Sequence, residues 1–301
     1  MISFGRLLLP VCALGLACAA GTDASLGDAR PPLYHFGAPR VLTELGVLYS
    51  NENPTLTGDL LDLFFTSTRG TTENDVWTAH RPLPSAPFDP PVRVDRVSTI
   101  FHETSPAVSL DGLSLFFGSD QTGGLGDYDV WRATRPSRTA EWSVPEDVTA
   151  LNSVAKDVPR PLGKRDLVMP LSSERDTPGA YQTFLAARPT PGEPFAPPVE
   201  IPELTFAGST TVDGSLSDDG LTLFFAFSPT GGKLDLYVAW RRTTSAPFSL
   251  YVPLDELNTP GDDRDPWLSP DGKTFYFTSD RGNGVSEIYE ATTTRGPSAG
   301  R

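Results

Sequence analysis

The chain has 301 residues and a formal net charge of −14, enough length for a domain with a large core and a balance that weighs against nucleic acid, which needs a cationic surface. The same charge weighs against electrostatic docking on anionic lipid. Its 2 cysteines, Cys12 and Cys18, both lie near the N-terminus, so the remainder can hold neither a disulfide nor a thiolate metal site.

In chain order, residues 1–20 read as an export signal. Arg6 gives a positive start, Leu7 to Leu16 an apolar segment too short to span a membrane, and Ala17-Cys-Ala-Ala20 small residues for cleavage. Leu16-Ala17-Cys18 resembles a bacterial lipobox, which makes Cys18 the lipidated first residue; cleavage after Ala19 or Ala20 is the alternative. Loss of Arg6 with this leader takes the charge to −15. Residues 21–33 then form a polar linker.

From residue 34 to 291 the chain repeats itself. The second strand of each unit reads Leu63-Phe-Phe65, Leu115-Phe-Phe117, Leu167-Val-Met169, Leu223-Phe-Phe225 and Phe275-Tyr-Phe277, with steps of 52, 52, 56 and 52 residues. Consecutive apolar residues put side chains on both faces of a strand, so it is buried on both. The third strand carries Trp77, Trp131, Phe184, Tyr237 and Tyr289; an outer segment rich in proline carries Phe36, Phe88, Trp142, Phe195 and Phe248. Proline cannot donate to a sheet ladder and belongs at edges. Asp111-Gly112, Asp219-Gly220 and Asp271-Gly272 supply tight turns. Such a period marks an array of units that cannot bury their apolar faces alone.

The outer aromatic is offset: Phe36 precedes the first unit, and the last unit has none before a polar tail at residues 292–301. The strand around Phe36 therefore completes the last unit and closes a ring. The expected fold is all-β: a β-propeller of five four-stranded blades, with six as the alternative count. Arg69 with Asp75, Arg175 with Gln182 and Arg281 with Glu287 are expected to bridge hairpins within blades.

The phrase Ser269-Pro-Asp-Gly-Lys273, followed by Phe275-Tyr-Phe-Thr-Ser-Asp-Arg-Gly282 and Glu287-Ile-Tyr289, resembles the WD40-like PD40 repeat of TolB-type propellers. The second and fourth copies match well, and the third lacks the turn. The resemblance implies a periplasmic, non-enzymatic propeller, commonly of six blades, and says little of the ligand.

A polar residue stands before each phrase: Asn53, Ser105, Asp157, Asp213 and Asp265. On inner strands these form one ring at the channel, with Glu52, Glu103 and Asp263 nearby. Such a ring could hold Ca²⁺ or another hard cation through oxygen, or hydrogen-bond a sugar or peptide; capping strands and binding channel water is the plainer role. Asp157, Asp213 and Asp265 also imitate the three acids of five-bladed glycosidases. His35, His80 and His102 lack metal-ligand spacing. Gly123-Gly-Leu-Gly126 precedes a strand and is no phosphate loop. The reading is an exported, lipid-anchored, monomeric envelope module without cofactor or catalytic residue, binding a protein, peptide or cell-wall glycan; a glycoside hydrolase is the alternative.

Overall fold

The computed structural model describes residues 34–296 apart from 71, 72, 207 and 230. The export signal, Cys18 and the linker fall outside the described residues. Among the described residues no helix is long and apolar enough to cross a membrane.

Two short strands come first, β1 (Tyr34–Phe36) and β2 (Arg40–Val41). Blade 1 follows as β3 (Asn51–Leu56), β4 (Asp62–Ser67), β5 (Asp75–His80) and β6 (Val92–Arg93). Blade 2 is β7 (Glu103–Val108), β8 (Ser114–Ser119), β9 (Asp129–Thr134) and β10 (Glu146–Asp147). Blade 3 is β11 (Asp157–Pro159), β12 (Val168–Ser173), β13 (Gln182–Ala187) and β14 (Val199–Glu200). Blade 4 is β15 (Thr210–Leu216), β16 (Thr222–Ser228), β17 (Asp235–Trp240) and β18 (Ser249–Pro253). Blade 5 has β19 (Asp263–Leu268), β20 (Thr274–Ser279) and β21 (Glu287–Arg295).

Each blade is an antiparallel meander, and the N-terminal strands complete the fifth. β2 pairs with Tyr289 and Glu290 as the outer strand does elsewhere, while Phe36 lies in β1, which adds a further strand opposite Thr293–Arg295. The expected closure is therefore present. β21 consequently runs into the stretch read as a polar tail: β1 supplies a partner for backbone that would otherwise face water.

The doubly apolar strands are buried as their pattern requires. Phe64 packs with Leu115, Phe117 and Trp142 of blade 2, while its neighbours Leu63 and Phe65 pack with Trp267 and Tyr276 of blade 5. The same alternation repeats at every blade boundary, giving five core clusters for five boundaries.

Register corrects one alignment. Opposite the third-strand alanines Ala79, Ala133, Ala186, Ala239 and Ala291 stand Leu63, Leu115, Met169, Leu223 and Phe275. Met169, not Leu167, is the counterpart in blade 3, so the steps are 52, 54, 54 and 52 and the irregular 56 disappears. A two-residue slip leaves side chains on the same faces, so alternation could not reveal it.

The turn phrase has a physical explanation. In blade 2, Ser109 Oγ donates to Asp111 Oδ1 (2.6 Å), and that oxygen accepts the Leu113 N–H (2.9 Å). Ser217 with Asp219 and Ser269 with Asp271 repeat the arrangement at 2.6 and 2.7 Å. Asp166 of blade 3 occupies the glycine place at φ 64. Its carboxylate instead accepts the Leu110 N–H of blade 2 (2.9 Å).

The arginines of the phrase stay within their own blade but bond its first strand, not the third-strand residues expected, and tie it to the connection from the preceding blade. Arg281 Nη2 donates to Asp263 Oδ1 on the first strand (2.6 Å) and to Leu257 O in the connection from blade 4 (2.5 Å). Arg175 does the same with Asp157 Oδ1 (2.5 Å) and Leu151 O (2.6 Å), and Arg69 with Asn51 Oδ1 (3.0 Å) and the Leu45 carbonyl. Arg281, lying 4.9 Å from the Tyr289 ring centroid, stacks on the third strand and reaches past Glu287 toward the first. A second arginine series was not read from the sequence. Arg81, Arg135, Arg188 and Arg241 follow the third strands, donate Nε to a turn carbonyl at 2.7–2.8 Å and sit 4.2–4.5 Å over Phe88, Trp142, Phe195 and Phe248. Its signal was available as an arginine recurring with the period.

Arg281→Ala leaves the fully buried Asp263 carboxylate without its cation, so unfolding free energy should fall by about 3 kcal/mol or more. Urea melts of the single variants and of Arg281→Ala/Asp263→Ala should give a coupling of about 1 kcal/mol or more. Burial raises the Asp166 carboxyl to about 6, aided by Asp111 and Asp218 and opposed by the Leu110 N–H and Arg188. Between its ordinary value near 3.8 and about 6 the folded state holds a proton that the unfolded state has lost, so this group's contribution to stability falls as pH rises. The stability of the wild type relative to Asp166→Asn should fall by about 2 kcal/mol from pH 4 to 6 in urea titrations.

Candidate functional site

Five first strands surround the axis, and four of them bulge there. Pairing breaks between Glu52 and Thr55, Thr104 and Ala107, Val212 and Ser215, and Arg264 and Trp267. The residues at the breaks are Asn53, Ser105, Asp213 and Asp265, at φ 55, 52, 60 and 53. Asparagine and aspartate tolerate this left-handed region better than most residues, and a bulge re-aims the side chain it carries. Here it brings the four side chains together at the axis.

Blade 3 departs from this. Its corresponding residue is Pro159, where β11 ends, and proline is confined to negative φ. Asp157 stands two residues earlier, level with Asn51, Glu103 and Asp263, and outside the axial cluster. Its fully buried carboxylate accepts the Ser153 N–H and Oγ–H (both 2.6 Å), the Ser173 hydroxyl (2.6 Å) and Arg175 (2.5 Å). Glu103 and Asp263 hold the chain four residues before them in the same way, through Thr99 and Thr259.

Blade 3 contributes Arg160 to the axis, where the other blades place Pro54, Pro106, Gly214 and Pro266. Its guanidinium meets Asp213 Oδ1 at 2.5 Å and Asp265 Oδ1 at 3.5 Å and donates to Ser105 Oγ (3.1 Å) and Ser172 Oγ (2.8 Å). Asn53 Nδ2 donates to Asp265 Oδ1 (2.6 Å). The space left among these residues is about 10 Å³, room for about one water-sized sphere. Arg160 was not read from the sequence; with blade 3 shifted by two residues, its place opposite three prolines and a glycine would have marked it.

Burial pushes the Asp213 carboxyl above the ordinary carboxylate range, with Asp265 adding to the effect and Arg160 and Arg264 opposing it. Burial alone would lower Arg264, but Asp265, Glu52 and Asp213 hold it above its usual value. The site is a buried ion cluster in which a guanidinium occupies the place a hard cation would take. Among the described residues no group of three His, Cys, Asp or Glu side chains is arranged to hold a metal. His35, His80 and His102 each meet one carboxylate, Glu256, Asp62 and Glu73, at 3.1, 2.7 and 2.5 Å.

A second concavity lies at the rim between blades 1 and 2. This groove of about 760 Å³ is lined by Phe64, Thr78, His80, Arg93, Arg138 and Trp142, among others. Its counterpart between blades 2 and 3 is about 210 Å³. There Arg132, the counterpart of Thr78, lies 5.6 Å from the Phe116 ring centroid and fills the gap that threonine leaves open.

No family model and no curated protein matches the chain. Among solved structures it is similar to TolB from Acinetobacter baumannii, with TM-score 0.51 and 16% identity over 81% of this chain and 54% of that one. The chain is a five-bladed β-propeller. This propeller spans about half the length of that TolB chain. It is also similar to an α-L-arabinofuranosidase from Podospora anserina solved with cellotriose, with TM-score 0.52 and 12% identity over 83% and 92% of the two chains. The catalytic domain of a Coprinopsis cinerea α-L-arabinofuranosidase gives TM-score 0.52 and 10% identity over 87% and 96%. At these identities the shared property is the fold.

Arg160→Met should cost about 3–5 kcal/mol of stability, because two carboxylates stay buried without their cation. Adding Asp213→Asn should recover part of the loss. Thermal and urea melts of the wild-type, single and double variants check both.

Proposed function

We propose that this propeller is a non-enzymatic binding or scaffold module of the cell envelope, recognising a protein, peptide or glycan through its rim or faces and not through its channel. The observation that carries this reading is the axis filled by its own side chains. Two of the three acids that could imitate a glycosidase set are bound to Arg160, the third stands outside the cluster, and about 10 Å³ remains between the axial residues. A pair of acids cleaving a glycosidic bond must flank the sugar, and that space is far smaller than a sugar ring. The likeness to TolB supports a propeller used for binding, and the likeness to arabinofuranosidases keeps hydrolysis as the reading to exclude.

The leader fits delivery to the envelope. A lipid on Cys18 with residues 21–33 as a tether would hold the propeller at a membrane surface, near partners for a passive module. This reading assigns no cofactor, since Arg160 supplies the positive charge at the axis.

Purified protein should release no reducing sugar from arabinoxylan, arabinan or peptidoglycan. Immobilised, it should retain an envelope component saturably, and Arg160→Lys or Asp265→Asn protein that remains folded should retain it equally well. Sugar release by the wild type that is lost in Asp213→Asn would overturn the proposal.

A further inference from the structure

Each blade ends in an outer strand with one edge free. Leu42, Val94, Val148, Ile201 and Leu254 donate their N–H groups to the third strands at 2.8–3.1 Å. Paired and unpaired residues alternate along an antiparallel ladder. The residues one and three places earlier therefore direct their backbone groups away from the blade. In blades 1, 2 and 3 these are Arg93 and Pro91, Asp147 and Pro145, and Glu200 and Pro198; in blade 5 they are Val41 and Pro39. A proline that offers no N–H and a charged neighbour are two devices that keep edges from recruiting a further strand.

Blade 4 departs from this pattern. Its two outward positions are Pro253 and Tyr251, so an N–H and C=O directed away from the blade stand at Tyr251 where every other blade has proline. The outer strand is five residues long, Ser249–Pro253, against two in the other blades, and Ser249-Leu-Tyr-Val-Pro253 carries no charge. Tyr251 and Val252 are 41% and 47% exposed. Behind Tyr251 lies an aromatic group: Phe206 at 5.4 Å, Tyr237 at 6.1 Å and Phe227 at 6.2 Å between ring centroids. Asp235 opens the third strand opposite Phe227 of this aromatic group, and Asp255 follows the outer strand two residues after Pro253. Burial raises the Tyr237 phenol, and both carboxylates add to the shift.

We propose that this edge of blade 4 is a docking site for an extended cationic segment of a partner protein, which adds to the blade as a further strand. The proposal rests on the binding-module reading and names its partner class. Main-chain bonds at Tyr251 supply pairing, the aromatic group takes an alternate apolar side chain, and Asp235 and Asp255 take lysine or arginine. The acidic charge of the chain, −14, opposes a second copy of itself as occupant.

The test uses a fluorescein-labelled, acetylated peptide of alternating lysine and valine, with anisotropy and amide hydrogen exchange as readouts. The wild type should bind it, protect the Tyr251 amide, and bind an alternating glutamate–valine peptide at least tenfold more weakly. Tyr251→Pro installs the residue that stands at this place in the other blades, and the ladder does not use the N–H it removes. That variant also loses the Tyr251 ring from the aromatic group, so it should melt below the wild type while staying folded, and bind the lysine peptide at least tenfold more weakly. Tyr251→Ala, which loses the ring but keeps the N–H, should bind it more tightly than Tyr251→Pro. Asp235→Asn/Asp255→Asn should weaken binding and flatten its salt dependence. Equal binding by wild type and Tyr251→Pro, or equal binding of the two peptides, would overturn the proposal, as would a dimer of the wild type that Tyr251→Pro abolishes. The binding-module reading fails only on sugar turnover, so the two outcomes are distinguishable.

Discussion

The structure depends on one constraint: each blade has two apolar faces and can bury neither by itself. Phe64 points to blade 2 while Leu63 and Phe65 point to blade 5, and every second strand divides its side chains between neighbours in the same way. Burying one such phenylalanine is worth roughly 1.5–3 kcal/mol, so an open array would leave two faces of this kind in water. Closure by the N-terminal strands follows from that cost. Tyr34 and Phe36 accordingly join the core cluster between blades 4 and 5 instead of capping an end.

Closing five blades brings their inner strands together at a narrow axis. Bulges turn Asn53, Ser105, Asp213 and Asp265 into that space, and two buried carboxylates there need a cation close by. Arg160 meets the need, from the blade whose phrase is least like the others. The irregularity of blade 3 is thus a structural requirement: proline at position 159 forbids the bulge, and the arginine after it fills the gap that the bulge would have filled. Symmetry is broken at one blade because one guanidinium there meets Ser105, Asp213 and Asp265 together.

An axis filled by its own ion cluster moves interest to the rim. There the blades differ in ways that packing does not demand. Thr78 leaves a groove that Arg132 fills at the next boundary, and blade 4 has Tyr251 where blades 1–3 have an edge proline and carries no edge charge. Positions bound to the repeat carry the scaffold, and departures from it at the surface are where recognition can be built.

The period, the doubly apolar strands and the offset of Phe36 were enough to determine an all-β ring of five blades, because burial on both faces is written into consecutive side chains. The Ser-x-Asp-Gly turn was equally legible, being a local hydrogen-bonded motif. Three things were decided only by tertiary structure. Met169 and Pro159 replaced Leu167 and Asp157 because a two-residue slip in a strand changes no face, and only pairing with the next strand fixes register. Arg69, Arg175 and Arg281 bonded to the first strand of their own blade and to the connection before it, with partners set by packing and not by nearness along the chain. The axial residues became an ion cluster once Arg160 lay among them, because whether polar groups bind a ligand or one another depends on the space between them, which no spacing along the chain records.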